Sequence, residues 1–127
     1  MLDTDICSYI IKRRPAALAE KLQKHADSLC VSVMTAAELR FGAHRAGSPR
    51  LVDLVEAFLE RLAVLDWTDD VCGYYARSRT ALEQAGTPIG NMDLLIASHA
   101  LAQRMTLVTN NLKHFSIVPG LKVEAWS

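Results

Sequence analysis

The chain lacks the features that mark several large classes of protein. Its 127 residues contain no charge-free run of 18 apolar residues, so no membrane-spanning helix is expected. The amino terminus has no basic segment followed by a long apolar run, which argues against secretion. The cysteines are odd in number and lack metal-ligand spacing. They indicate reduced thiols in a cytoplasmic protein, and all three are predicted to be small core residues: Cys7, Cys30 and Cys72.

Common nucleotide-binding and hydrolase motifs are also missing. There is no glycine-rich phosphate loop, no G-x-S-x-G sequence and no Cys–His pair in a recognisable context. Aromatic residues make up only 6% of the chain and are too scattered to predict a stacking platform for bases. His25, His44 and His114 have no metal-ligand spacing. His99 lies on an apolar helix. It is predicted to be a packed core residue or to contact a metal-binding side chain, rather than to bind a metal itself.

The chain has no net charge, which argues against strong non-specific binding to nucleic acid. The charge is nevertheless uneven: residues 1–50 carry eight Lys or Arg against five Asp or Glu, and residues 51–127 carry six against nine. Taken alone, the basic excess favours solvated helix faces.

What the chain does have is an alternation of short apolar runs with amphipathic segments. Its length predicts one domain, residues 1–127. Strands are predicted at 1–4, 29–33, 63–65, 106–108 and 121–126, with a short turn at 112–115. Helices are predicted at 6–13, 16–25, from 36 to a turn at 46–49, 51–62, 69–85 and 92–103. This order predicts an α/β fold with a central, mostly parallel sheet of about four to five strands, covered on both faces.

Polar residues at the predicted helix starts are interpreted first as caps. Thr4 or Asp5 would cap the first helix. Thr35, with Glu38 three residues on, has the spacing of a capping box. Asn91 would cap the helix that begins at residue 92.

Some of these polar residues also fall where predicted strands end and helices begin. Asp3 follows the first strand, Glu38 lies in the helix after the second, and Asp93 lies in the first turn of its helix. Asn110 or Asn111 follows the fourth strand. Such positions converge at one edge of a parallel sheet even when they are distant in sequence. Acids gathered there would repel one another unless a cation lay among them, and oxygen ligands are those that Mg²⁺ prefers.

Each acid also has a structural interpretation. Asp3 is a possible cap, Glu38 a possible capping-box partner, and Asp93 a charge favoured by the helix dipole. Asp93 is the most informative, because its sequence neighbours are apolar and a carboxylate among them is costly unless it is paired or metal-bound. The residues alone leave both interpretations open.

Four stretches in order resemble one family: 2–6 (LDTDI), 32–43 (SVMTAAELRFGA), 88–97 (PIGNMDLLIA) and 107–111 (LVTNN). Through them, the chain is similar over essentially its whole length to PIN-domain ribonuclease toxins of the VapC type. The resemblance implies a PIN-domain-like α/β/α sandwich and an endoribonuclease that depends on Mg²⁺ or Mn²⁺. It also implies an RNA substrate, with transfer RNA as a candidate, and a VapB-like antitoxin as the protein partner. The implied assemblies are a homodimer and a toxin–antitoxin hetero-oligomer, and no association with a membrane is expected.

By position, the resemblance implies that Asp3, Glu38 and Asp93 are the catalytic, metal-binding acids, and that Thr4 is the active-site hydroxyl. Asn111, with Asn110 as the alternative, falls where many PIN domains have a fourth acid, so a second metal would bind weakly. Residues that contact RNA are not identified. Once RNA is the implied substrate, however, the basic excess in residues 1–50 becomes a candidate for guiding it.

Two features depart from the family pattern. Position 5 is commonly Asn, and Asp5 adds a negative charge that could tighten metal binding or perturb the site. Family members often carry a few residues before the equivalent of Met1, so the first strand is expected to be short.

Two other functions remain as alternatives. Asp3-x-Asp5 and the segment 108–110 imitate the nucleophile and phosphate-binding signatures of haloacid-dehalogenase-type phosphatases. Those enzymes need a further lysine and acidic pair, and only one acid, Glu124, follows Asn110. The second alternative is a PIN-like binding module whose acid cluster has decayed, which Asp5 and the missing fourth acid keep open.

Overall fold

A computed structural model describes residues 1–126, in which helices and short strands alternate as the sequence predicts. The strands are β1 (Cys30–Ser32), β2 (Ala63–Leu65), β3 (Leu107–Val108) and β4 (Val123–Glu124). The helices are α1 (Thr4–Arg13), α2 (Ala16–Lys24), α3 (Val33–Arg45), α4 (Pro49–Glu60), α5 (Asp69–Gln84), α6 (Asn91–Ala102) and α7 (Leu112–Phe115), with a 3₁₀ turn at Ala26–Ser28. No helix among the described residues is both long and apolar enough to cross a membrane.

Leu2 joins two pairs of parallel strands. β1 pairs with β2, and β3 pairs with β4. Leu2 forms parallel bridges to Val31 in β1 and to Val108 in β3. The spatial order is therefore β2–β1–Leu2–β3–β4, with every pair parallel, which confirms the predicted fold class. The predicted first strand is reduced to this one bridged residue.

Successive residues of the sheet point to opposite faces, as the pleat of a strand requires. On one face, Leu2, Val31 and Val108 pack with apolar residues of α1 to α4. On the other, Met1, Cys30 and Leu107 pack with apolar residues of α6, α7 and the end of α5. The sheet is thus covered on both sides, which gives the α/β/α sandwich that the resemblance implied.

An apolar groove stays open on the first side of the sandwich. It lies between α1, α2 and α4, has a volume of about 600 Å³, and is lined in part by Ile10, Leu22 and Phe58. Arg14 and Arg61 also line it. The amphipathic helices therefore leave apolar surface outside the two cores.

The predicted cap of α3 is wrong, and of the residues considered for α1 it is Asp3, rather than Thr4 or Asp5, that forms the cap. Asp3 caps α1, because its side chain accepts a hydrogen bond from the backbone N–H of Ile6. Ser32 caps α3, with its side chain accepting from the N–H of Met34. Since α3 begins directly after β1, Thr35 already lies inside the first turn, where its side chain is buried. A capping box between Thr35 and Glu38 therefore does not form.

Two further predictions are corrected. α6 begins at Asn91 itself, after Gly90, and no side chain caps it. Cys7 and Cys30 are buried as predicted, but Cys72 is exposed. The reason is helical geometry: α5 buries Val71, Ser78 and Leu82, which places position 72 on another face of the helix.

Candidate active site

Asp3 is held in one orientation by two different parts of the fold. It is 2% exposed and follows the bridged residue Leu2. Its Oδ1 accepts from the N–H of Ile6 at 2.8 Å, at the start of α1. Its Oδ2 accepts from the hydroxyl of Thr109 at 2.5 Å, just after β3. The carboxylate is a helix cap and at the same time lies at the carboxyl edge of the sheet, so the two interpretations of Asp3 are compatible.

Thr4 connects α1 with α3 through Glu38. The Thr4 hydroxyl donates to Glu38 Oε1 at 2.6 Å and lies 3.2 Å from the hydroxyl of Thr35. Because Thr4 has a single hydroxyl proton, Thr35 is the donor in the second contact. A small pocket of about 120 Å³ opens beside Thr4 and Glu38, with Asp5 and Lys12 among its other lining residues. Glu38 is thus oriented by a side chain from a distant part of the sequence.

Asp93 lies in the first turn of α6, but it is not enclosed by its apolar neighbours. Its side chain is 40% exposed, and its Oδ2 lies 2.9 Å from His114 Nε2 in α7. The His114 ring packs edge-to-face against the Phe115 ring, with 5.2 Å between the two ring centroids. The expectation of an Asp93 surrounded by apolar side chains is therefore wrong, because helical geometry directs those neighbours elsewhere. The contact between Asp93 and His114 could not be predicted from their spacing in the sequence.

The acids influence one another's ionisation. Burial raises the pKa of Asp3, the hydrogen bonds from Thr109 and Ile6 oppose that rise, and the charges of Asp5 and Asp93 add to it. Burial also raises the pKa of Glu38, the hydrogen bond from Thr4 opposes the rise, and the charges of Asp93 and Asp5 add to it. Asp3, Glu38 and Asp93, which were predicted to converge, therefore share one region of negative potential with Asp5. Asp5 contributes to it from an exposed position.

The same acids are not gathered into a tight ligand shell. Within residues 1–126, no three His, Cys, Asp or Glu side chains are close enough together to hold one ion. The donors that Asp3, Glu38 and Asp93 offer are all carboxylate oxygens. Mg²⁺ typically binds through one or two carboxylates and keeps several water molecules. The arrangement therefore fits a cation that is held partly through water.

The segment after β3 contributes Thr109 rather than the two asparagines to the contacts of Asp3. Thr109 is fully buried, while Asn110 and Asn111 are exposed. The Thr109 hydroxyl also accepts from the N–H of Asn111 at 3.0 Å. Its place directly after a buried strand was visible in the sequence, but its contact with Asp3, 106 residues away, was not. The role of Asn111 or Asn110 at the fourth position stays a prediction.

Replacing Thr109 with Val should destabilise the chain by about 1–3 kcal/mol, because a valine of similar shape leaves a carboxylate oxygen of Asp3 and the N–H of Asn111 without their partner. It should also raise the pKa of Asp3 further, since the lost hydrogen bond lowers that pKa. The acid limb of any activity that requires ionised Asp3 would then move to higher pH. Urea unfolding and a pH–rate profile measure the two effects.

Thr109→Ser is the matched control, because it keeps the hydroxyl and removes only a methyl group. It should retain the wild-type pH profile. An unchanged profile in Thr109→Val would show that this hydrogen bond does not tune Asp3.

His99 is a core residue, as the sequence predicted. It is fully buried in α6, and its Nδ1 lies 2.8 Å from the hydroxyl of Ser32, the residue that caps α3. Burial lowers the pKa of His99, which favours the neutral ring. His99 therefore supports the start of the helix that carries Glu38.

The fold and the site together define a parallel α/β domain with an acidic centre at the carboxyl edge of its sheet. A family model described as "PIN domain" matches residues 1–121. The chain is 37% identical over 127 residues to the tRNA(fMet)-specific endonuclease VapC of Salmonella typhimurium, an alignment that covers 99% of this chain and 96% of that protein. It is 39% identical over 127 residues to ribonuclease VapC2 of Haemophilus influenzae, with the same coverage.

Solved structures agree with the family model. A DNA-bound VapBC structure from Salmonella typhimurium matches with a TM-score of 0.97 at 37% identity, covering 100% of this chain and 97% of that one. VapBC2 from Rickettsia felis, bound to a promoter DNA fragment, matches with a TM-score of 0.92 at 40% identity, covering 100% and 98%. The chain belongs to the PIN domain family, and within it to the VapC type.

Proposed function

We propose that this chain is a metal-dependent endoribonuclease, the toxin of a toxin–antitoxin pair, which hydrolyses phosphodiester bonds of RNA. The observation that carries the proposal is the buried, doubly hydrogen-bonded Asp3 in one negative region with Glu38 and Asp93. The VapC relatives, one of them named as specific for tRNA(fMet), make transfer RNA the first substrate to test. The free cysteines fit action in the reducing cytoplasm.

Mg²⁺ or Mn²⁺ would be held by Asp3 and Asp93, directly or through water, with Glu38 completing the set. When bound, such a cation supplies an activated water and stabilises negative charge on the phosphoryl oxygens. The chain's own residues keep the ligands in place. Thr109 and the start of α1 orient Asp3, and Thr4 orients Glu38. His114 orients Asp93 from α7.

A VapB-like antitoxin is the proposed partner, in a hetero-oligomer like those of the related VapBC structures. The open groove between α1, α2 and α4 offers an apolar segment of such a partner a place to bury its side chains. The homodimer implied by the resemblance remains part of the proposal.

The function is tested by incubating the purified chain with total transfer RNA and sequencing the RNA ends. Cleavage at defined positions should require Mg²⁺ or Mn²⁺, stop with EDTA and be blocked by the co-expressed antitoxin. Intact RNA under all conditions, with hydrolysis of a small phosphomonoester instead, would favour the phosphatase alternative.

Metal binding has a readout of its own, the thermal unfolding of the chain with and without Mg²⁺ or Mn²⁺. A cation at about ten times its dissociation constant adds about 1.4 kcal/mol to the free energy of unfolding. For a domain of this size, that raises the melting temperature by about 5 °C. Saturable stabilisation should appear in the wild type and disappear in Asp93→Asn. Its absence from the wild type would favour the non-catalytic binding module.

A further inference from the structure

A second concave surface adjoins the acidic centre. It is a shallow pocket of about 370 Å³ between the loop before α6 and the segment that contains α7. Pro88, Ile89 and Ile117 provide its apolar lining, and Asn111, Lys113 and His114 are among its polar residues.

The pocket and the acidic centre share a residue. His114 lines the pocket, and its Nε2 lies 2.9 Å from Asp93 Oδ2. Phe115, which is buried, packs against the His114 ring and keeps it in place. A ligand in this pocket would therefore lie directly beside the carboxylate proposed to hold the metal.

The lining suits a flat, partly polar group that is attached to a negative charge. Ile117 is 42% exposed, so its side chain offers apolar surface to a ligand. Lys113 and Asn111 are exposed and add a positive charge and an amide. The volume lies near the lower end of the range for small-ligand sites, about 300–1,000 Å³, which limits the occupant to one small ring system.

An unpaired nucleotide of RNA meets these requirements. Its base has an apolar face for Ile89 and Ile117 and a polar edge for the Asn111 amide. Its phosphate carries the charge that Lys113 would neutralise. Proteins that recognise single-stranded RNA pack splayed bases against side chains and bind their edges by hydrogen bonds in this way.

We infer that this pocket binds one unpaired nucleobase of the RNA, next to the phosphate that lies at the acidic centre, and that Ile117 and Lys113 are substrate-binding residues. This inference rests on the proposed function. It adds a base-binding site to a reaction centre that by itself recognises only a phosphodiester.

The test measures RNA binding separately from cleavage. Fluorescently labelled octanucleotides of A, C and U are titrated with the full chain in EDTA, and the dissociation constants are read by anisotropy. Ile117→Asp should weaken binding of the preferred octanucleotide by about 5-fold or more, the scale of losing one base contact. Lys113→Ala should weaken all three and reduce the salt dependence of binding by about 0.7 in the logarithmic slope.

Lys122→Ala is the matched control, because it removes the same charge from an exposed position that does not line the pocket. It should leave affinity and salt slope unchanged. Thermal unfolding of each variant confirms that the surface substitutions leave the fold intact. A second readout is the set of cleaved sequences: Ile117→Asp should relax the base preference at one position relative to the cut.

The outcomes separate this inference from the proposed function. If the wild type cleaves RNA but Ile117→Asp and Lys113→Ala bind as it does, the pocket inference is overturned and the nuclease stands. If the variants weaken binding while no cleavage occurs, the pocket is supported and the nuclease is not. Three other results would each overturn the pocket inference. They are a loss of RNA affinity in Lys122→Ala equal to that in Lys113→Ala, an absence of RNA binding by the wild type, and a loss of antitoxin binding without a loss of RNA binding in the two pocket variants.

Discussion

Asp3→Asn should abolish RNA cleavage, with a loss of at least about 100-fold, while leaving the metal-free chain at least as stable as the wild type near neutral pH. The loss follows from removing a proposed ligand of the cation that would stabilise charge on the phosphoryl oxygens; loss of one such electrostatic stabiliser typically costs about 10²–10³-fold. The stability follows from the fold. Asparagine caps helices as well as aspartate does: its Oδ1 can still accept from the N–H of Ile6, and its Nδ2 can donate to the hydroxyl oxygen of Thr109. Function and stability would thus change in opposite directions.

The stability difference should depend on pH with a definite sign. The folded state raises the pKa of Asp3, so folding favours the protonated carboxyl. That contribution is fully present below the unfolded-state pKa, near 4, and is lost as the pH rises through the folded-state pKa. Asp3→Asn cannot ionise there. The melting temperature of Asp3→Asn minus that of the wild type, measured in EDTA, should therefore increase from about pH 4 to neutrality.

Asp53→Asn is the control for both measurements, because Asp53 is an exposed acid on α4. It should cleave RNA like the wild type and follow the same pH dependence of stability. Cleavage by Asp3→Asn within a few-fold of the wild-type rate would exclude Asp3 as a metal ligand. A variant that unfolds at lower temperature than the wild type at neutral pH would show that the charge of Asp3 stabilises the fold.

Leu2→Ala should lower the free energy of unfolding by about 3–5 kcal/mol and the melting temperature by about 10–20 °C. Leu2 is fully buried and, among residues 1–126, is the one residue that forms bridges to both β1 and β3. Its side chain packs with Val31 and Val108 on one face of the sheet. Truncation leaves a cavity in the core on that face, beside strands that are only two or three residues long. Urea unfolding measures the loss.

Leu112→Ala makes the same chemical change at a side chain that is 40% exposed. It should cost less than about 0.5 kcal/mol. If Leu2→Ala cost as little, the packing of the Leu2 side chain would not be what holds the two strand pairs together.

The alternation of elements was predictable because it rests on local signals. Apolar runs separated by amphipathic stretches predicted α1 to α6 and β1 to β4 to within a few residues, and the parallel sheet followed from their order. The helix α7 was predicted only as a turn, and the predicted first strand is the single bridged residue Leu2. The helix starts were harder. The sequence favoured Thr35 as a cap on spacing alone, whereas the chain leaves β1 and turns helical at once, so Ser32 takes that position.

The sequence by itself determined which acids could meet. Asp3 and Glu38 follow from strand ends and the helices that begin there, Asp93 follows from the start of its own helix, and the family stretches point to the same three acids. Only the tertiary structure decided how they are held: Asp3 by Thr109, Glu38 by Thr4 and Asp93 by His114. Each of these contacts spans at least 21 residues of sequence. The physical reason is that strand order and helix packing bring such partners together, and no local pattern encodes a hydrogen bond between distant side chains.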